Sequence, residues 1–337
     1  MLGGVVTYNI VAGKLDVALS IGEEALRLAE RVGDRAMIVI AQEVLGITLH
    51  HLGRHHAALA CFERGLAAYG IELAPAFVSI LIEPGVGMRA EKARTLWVLG
   101  YPDQALREVN AAQALADRVP HPEARGFAPL FGAFIHQFRN DVPNTFRYAE
   151  TVLAIAQERD IVTTRAWGAV LHGWAVAIRG DVDEGIAEIR GSLAGQLAAG
   201  SLVARPQFLA ILADACLHAD RVDDVLAATA EGLECSASTA DHYWDSELER
   251  LRGEALHALG GDASEIDASF ERALADARAR DARSLELRAA TSAARVWLAR
   301  GDRARAHEQL APVYAWFTEG FDTPDLVAAR QLLDALG

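Results

Sequence analysis

A forty-residue period governs this chain. Eight residues able to reverse a helix recur along it: Gly13, Gly53, Gly100, Asn140, Gly180, Asp220, Gly260 and Gly301. Successive members stand 40 residues apart, except for a step of 47 after Gly53 and one of 41 after Gly260. Only Gly, Asn and Asp fill the column, the residues that best tolerate a left-handed backbone at a helix end. Seven places before each turn, from the second repeat onward, stand Gly46, Ala93, Ala133, Gly173, Ala213, Gly253 and Ala294. Gly costs up to about 1 kcal/mol relative to Ala inside a helix, so its recurrence there calls for the close approach of a neighbouring helix. Four places before the turn the column is larger and apolar, as at Leu49, Leu96, Val176, Leu256 and Trp297. After the turn come small residues five places on (Ala18, Ala58, Ala105, Ala306), large ones nine on (Phe62, Val109, Ile189, Leu310), and Leu thirteen on (Leu26, Leu66, Leu153, Leu193, Leu233).

This pattern describes two antiparallel helices joined by a tight turn, each pair burying its apolar side only against its neighbours. The expected fold is all-α, a right-handed α-solenoid of eight helix-turn-helix units at about 1–33, 34–74, 86–119, 124–160, 163–200, 204–238, 243–281 and 284–318. The seven extra residues fall in a longer connection, 75–87, with room for a short helix. Breakers separate units at Gly33-Asp34, Pro120-His121-Pro122, Ala199-Gly200-Ser201 and Ser236 to Asp241. Thr323-Pro324-Asp325 reads as a helix start, with a cap, Pro in the first position and an acid in the first turn, so a last helix over 324–336 is expected to cover the open end.

The arrangement resembles the tetratricopeptide (TPR) repeat, with a unit of forty residues where thirty-four is usual. It is similar in particular to the carboxy-terminal repeat region of bacterial multidomain class III adenylate/guanylate cyclase–AAA ATPase–TPR signalling proteins. The resemblance is carried by Leu96 to Ala105, Leu251-Arg252-Gly253-Glu254, Ser284 to Ala290, Leu310 to Tyr314 and the run from Trp316 to Leu326. It covers only the non-catalytic end of those proteins, since the cyclase and nucleotide-binding parts are absent from this chain. It therefore implies a sensing or protein-binding arm with no catalysis and no cofactor, working with an upstream or separate cyclase/ATPase module.

Composition narrows the partners. With 46 acidic against 32 basic residues the formal net charge is −14, a poor match to nucleic-acid phosphates or an anionic membrane. Cys61, Cys216 and Cys235 are odd in number and far apart, which offers neither a disulfide framework nor a CxxC metal site. The start, MLGGVVTYNIVAGK, has no basic segment ahead of an apolar run, so the cytoplasm is the expected location. Its apolar character leaves self-association through the first unit open. Gly13-Lys14 lacks the remainder of a phosphate loop, and His307-Glu308 lacks the second histidine of a zinc helix. His50, His51, His55 and His56 flank the Gly53 turn and read as polar residues around an exposed turn, with no metal site. No pair of carboxylates stands apart as a catalytic candidate.

Two features point to binding. Phe127, Phe131, Phe134 and Phe138 form one stripe along the first helix of the fourth unit, on another face than Ala133 and His136. The equivalent positions are Trp167, Leu171, Trp174 and Ile178 in the fifth unit, and Gln207, Ile211, Asp214 and His218 in the sixth. In a TPR-like stack this face lines the concave groove, where an apolar lining suits a partner helix or peptide. The competing reading of these rings is core. Arg125, Arg165 and Arg205 share one repeat position and could clamp carboxylates or a phosphate, or serve as structural contacts. The expected function is a non-catalytic protein- or peptide-binding scaffold. Small-molecule sensing, as in transcription activator-like ATPases, is the alternative, and a helical-toroid enzyme comes third.

Overall fold

The computed structural model describes residues 2–78, 82–121, 123–159 and 161–337, so 79–81 in the longer connection, Pro122 and Asp160 lie outside the described residues. Among the described residues all regular structure is helical. The first helices of the eight units are α1 (Leu2–Val11), α3 (Arg35–His51), α5 (Pro84–Val98), α7 (Ala124–Phe138), α9 (Val162–Ile178), α11 (Arg205–His218), α13 (Asp245–Ala258) and α15 (Arg283–Ala299). Their partners are α2 (Leu15–Val32), α4 (His55–Ala68), α6 (Pro102–Ala116), α8 (Val142–Arg159), α10 (Val182–Ala198), α12 (Val222–Thr239), α14 (Ala263–Ala279) and α16 (Arg303–Ala315). The last helix is α17 (Pro324–Leu336), and a 3-10 helix, Ile71–Phe77, leads into the longer connection. No described helix is long and apolar enough to cross a membrane.

All eight turn residues have positive φ, from 53° at Asn140 to 117° at Gly180. The small-residue column has the reason its spacing implied. A Cβ on Gly173 would stand 2.6 Å from the carbonyl oxygen of Gly185 on the paired helix, and one on Gly46 would stand 2.5 Å from the Phe62 ring. Thr323 differs from the expected cap: its hydroxyl donates to Gly320 O at 2.6 Å and makes no bond to the turn of α17.

Each first helix packs on the next, α1 on α3 through α13 on α15, so these helices form the inner wall of the solenoid, while α17 covers α15 and α16. The winding is tight enough for the stack to meet itself. Leu202 N donates to Val11 O at 2.8 Å and His242 N to His51 O at 2.9 Å, while Ser284 Oγ donates to Trp97 O at 2.5 Å and Arg288 to Phe138 O at 2.6 Å. In every case the acceptor is a carbonyl at the end of a first helix, where the helix leaves its last carbonyls without an intrahelical donor; Trp97 O also accepts from Gly100 N in its own turn. The loop entering unit six thus rests on the turn of unit one, unit seven on two, and unit eight on three. Asn140 donates to Asp325 at 3.0 Å, which seats the start of α17 on unit four.

This closure corrects the reading of the histidines. The Gly53 turn is covered by Arg280, whose guanidinium donates to Leu52 O at 3.3 Å. His50, His51 and His55 are buried as a result, with His51 Nδ1 3.0 Å from Asp241 across the superhelical turn. His136 is a satisfied imidazole, 2.9 Å from Asp141.

Candidate functional site

The concave wall has two parts. In its first part the axis of the superhelix is filled. Phe131, Phe134 and Phe138 are 0 % exposed. Phe134 lies 6.1 Å from Phe208 and 6.0 Å from Trp167, and Phe138 lies 4.7 Å from Trp97 and 5.0 Å from Trp244. Arg94 is wholly buried among them, donating to Glu91, Gln207 and Tyr243 and lying 5.2 Å over the Phe134 ring. Leu171 and Trp174 are also buried, whereas Phe127, Trp167 and Ile178 are partly exposed at the edge of this core. The Phe stripe expected to line a groove is therefore placed inside, because the second superhelical turn occupies the space where a partner would lie.

The three equivalent arginines do not form one ladder of free groups. Arg125 and Arg165 are exposed, but Arg205 is buried, donating to Leu193 O at 3.1 Å and pairing with Glu231. A structural role holds for Arg205.

The second part of the wall is open. A pocket of about 290 Å³ lies between the end of α7 and helices α11, α13, α15 and α17. Continuing the Phe stripe by the same period explains its lining. The stripe positions become Ile211 and Asp214 in unit six, Glu247 and Glu254 in unit seven, and Arg288, Ser292 and Arg295 in unit eight, and all of these border the pocket. One helical face thus changes from aromatic to charged along the chain. Gln137, Arg250, Asp325 and Ala328 also line it.

Most of its charges hold one another. Arg250 grips Glu247 with two bonds of 2.8 and 2.9 Å and reaches Glu254 at 2.7 Å, where Ser292 also donates. Arg288 bonds Asp325 at 2.8 Å and Glu247 at 3.3 Å. Burial alone would raise the Glu247 carboxyl, but Arg250 and Arg288 outweigh it and hold it at about 2. Asp214 is different. It accepts a hydrogen bond from Trp174 Nε1 at 2.7 Å, and it makes no ion pair among the described residues. Burial raises its carboxyl above the usual range, more than Arg250 and the indole lower it. The Gln137 amide oxygen, on a side chain 5 % exposed, has no hydrogen-bond partner.

Sequence reasoning stopped the stripe at unit six and so missed Glu247, Glu254, Arg288 and Arg295. The signal was present, since these residues keep the 3 and 4 spacing of the stripe at the next two repeats. Arg250 and Gln137 had no such signal, because each stands one place before a stripe position, Leu251 and Phe138.

Residues 6–70 match the family model of the tetratricopeptide repeat. No protein with curated function matches the chain in sequence. Among solved structures it is similar to a Rap protein complexed with Competence and Sporulation Factor, with a TM-score of 0.64 and 9 % identity over 99 % of this chain and 96 % of that one. A Rap conjugation gene regulator of the plasmid pLS20, in complex with the Phr* peptide, gives 0.60 and 10 % identity over 100 % and 97 %. Aspartyl phosphate phosphatase F from Bacillus subtilis gives 0.50 and 10 % identity over 87 % and 74 %. The fold is a TPR-like α-solenoid. The likeness extends over the full superhelix, far beyond the segment that the repeat model matches.

Proposed function

We propose that this chain is a non-catalytic binding arm of a signalling system, which takes a short peptide segment of its partner into the open end of the concave wall. The observation that carries this reading is the break in the inner stripe: the wall is sealed by aromatic rings in its first part, and polar, open and lined by convergent groups from five helices in its second. A volume of about 290 Å³ lies at the lower end of small-ligand sites, which run to roughly 300–1,000 Å³, and suits a residue or two of an extended chain, not a folded domain. Two proteins of like fold are described with a bound factor or peptide, which supports the same class of partner here.

Glu247 and Glu254 are both held by Arg250, an arrangement that fixes a recognition surface and leaves neither carboxylate free to move a proton. The binding arm would act on an effector such as a cyclase or ATPase module, and would do so in the cytoplasm, where its three free thiols persist. Of the expected site residues, Ile211 keeps its place in the pocket.

The test is selection of peptides from a random display library against the intact chain, repeated with Ala328→Trp. Ala328 lies at the pocket wall on the last helix, half-buried, so a large ring there fills the pocket without entering the core. Peptides that bind the native chain and lose binding to an equally heat-stable variant support the reading. Peptides that bind both equally well place the interaction elsewhere.

A further inference from the structure

Counting the ionisable side chains that border the pocket gives four carboxylates, Asp214, Glu247, Glu254 and Asp325, against three guanidinium groups, Arg250, Arg288 and Arg295. Arg250 and Arg288 are committed to Glu247, Glu254 and Asp325. Arg295 is exposed at the mouth and makes no ion pair among the described residues. What remains unanswered inside is acceptor capacity. Asp214 has one oxygen bonded to the Trp174 indole, and the other faces no donor among the described residues. Gln137, nineteen-twentieths buried on α7, presents an amide oxygen with no donor among the described residues. A buried acceptor such as the Gln137 oxygen is rarely left empty, since an unmade hydrogen bond there is costly, whereas half-buried Asp214 opens its second oxygen to the pocket.

We propose that Asp214 and Gln137 form the specificity subsite of this pocket and receive a positively charged nitrogen group of the bound peptide, an arginine or lysine side chain or a free amino terminus. The inference rests on the peptide-binding reading above and names which chemistry that site selects. A guanidinium or ammonium group supplies the N–H donors that both oxygens lack and cancels the single excess negative charge. A carboxylate or phosphate would meet Asp214 head-on. Trp174 holds Asp214 from behind through its Nε1–H, so the carboxylate is oriented before the ligand arrives. Arg295, out at the mouth, is placed to meet an acidic or carboxyl-terminal group further along the same chain.

The experiment uses the full chain and defined probes. Pentapeptides of alanine, acetylated and amidated, carry Arg, Lys, citrulline or Glu at the centre, and an all-alanine version keeps a free amino terminus. Agmatine serves as a cation without a peptide. Binding is read from the indole N–H resonance of Trp174, assigned among six tryptophans by Trp174→Phe. The Arg or Lys peptide, or the free-amine peptide, should bind about tenfold or more tightly than the citrulline and Glu peptides, the worth of one charge-assisted hydrogen bond. The three cationic probes distinguish side chain from terminus. Asp214→Asn should abolish that preference while the melting temperature holds.

Equal binding of the citrulline, Glu and Arg peptides, or a preference that survives Asp214→Asn, overturns the subsite while leaving peptide binding intact. A Trp174 shift with agmatine and with no peptide keeps the cation site and removes the peptide. No shift with any cation removes the subsite altogether.

Discussion

Phe134 and Arg295 stand at the same position of the same helical face, four units apart, and they live in opposite surroundings. Phe134 is 0 % exposed between Trp167 and Phe208, while Arg295 is exposed at the mouth of a pocket. The turns show the same division. A Cβ on Gly13, Gly53 or Gly100 would collide with Thr239, Arg280 or Trp316, whereas one on Gly180, Gly260 or Gly301 would meet nothing within 4 Å. Units one to four carry the second superhelical turn on top of them, and among the described residues no further repeat lies over the turns of units five to eight. A repeat therefore sets which residues are equivalent, and the superhelix then gives equivalent residues different work. Through units four and five the inner column is mostly apolar core; from Asp214 onward it turns polar and borders an open pocket.

The sharpest way to break this comparison is Phe134→Ala. A cavity at the sealed axis should cost ~3–5 kcal/mol, seen as a large fall in melting temperature. A loss below 1 kcal/mol would mean the axis is not packed as described.

Acid should separate the halves next. His50 and His55 are driven well down by burial, His55 to about 3. Their unfolded forms take protons below roughly pH 6.5, and the folded forms do not, so the stability they confer is present above that pH and drains as pH falls below it, for His55 down to about 3. Glu43, raised by burial and by Glu83 and Glu91, works in the opposite sense and offsets part of one histidine. Glu247 begins to lose its contribution only as pH falls from the ordinary 4.5 toward about 2. Amide exchange at pH 5 should therefore open α3 and the loop entering α13 before α15 and α17. Loss of protection in the reverse order would contradict the division.

A matched pair of glycines gives a smaller but cleaner comparison. Gly100 and Gly301 have φ of 92° and 86°, so Ala brings similar backbone strain of ~1–2 kcal/mol at each. At Gly100 the new methyl also meets Trp316 at 2.5 Å and should add ~1–3 kcal/mol. Equal denaturant midpoints for the two variants would show that the second turn does not press on the first. Smallest of all, Arg295→Ala should change stability by less than ~0.5 kcal/mol while weakening peptides that carry a carboxylate, measured by calorimetry on the library-selected set.

Much of this architecture was legible in the chain itself. All eight residues of the turn column do take positive φ, and Gly46, Gly173 and Gly253 announced close helix contacts that the structure contains. The stripe through Phe127 and Trp174 was also legible as one face. Its environment was not. Whether a ring on that face is groove or core depends on the pitch of the superhelix, and pitch accumulates from small rotations at every helix contact, none of which leaves its own mark in a spacing. The buried histidines were misread for the same reason, since the residues covering them, Asp241 and Arg280, lie some two hundred positions away.

By itself the sequence determined the unit, its two helices, its turn and the order of the stack, because these follow from local backbone preference and a helical period. Only the tertiary structure decided that unit six would come to rest on unit one. That decision belongs to the loops carrying Leu202, Tyr243 and Trp244, whose apolar groups and backbone donors have no partner until the solenoid completes its turn. With the turn complete, the aromatic part of a repeated face is sealed and its charged part borders an open pocket.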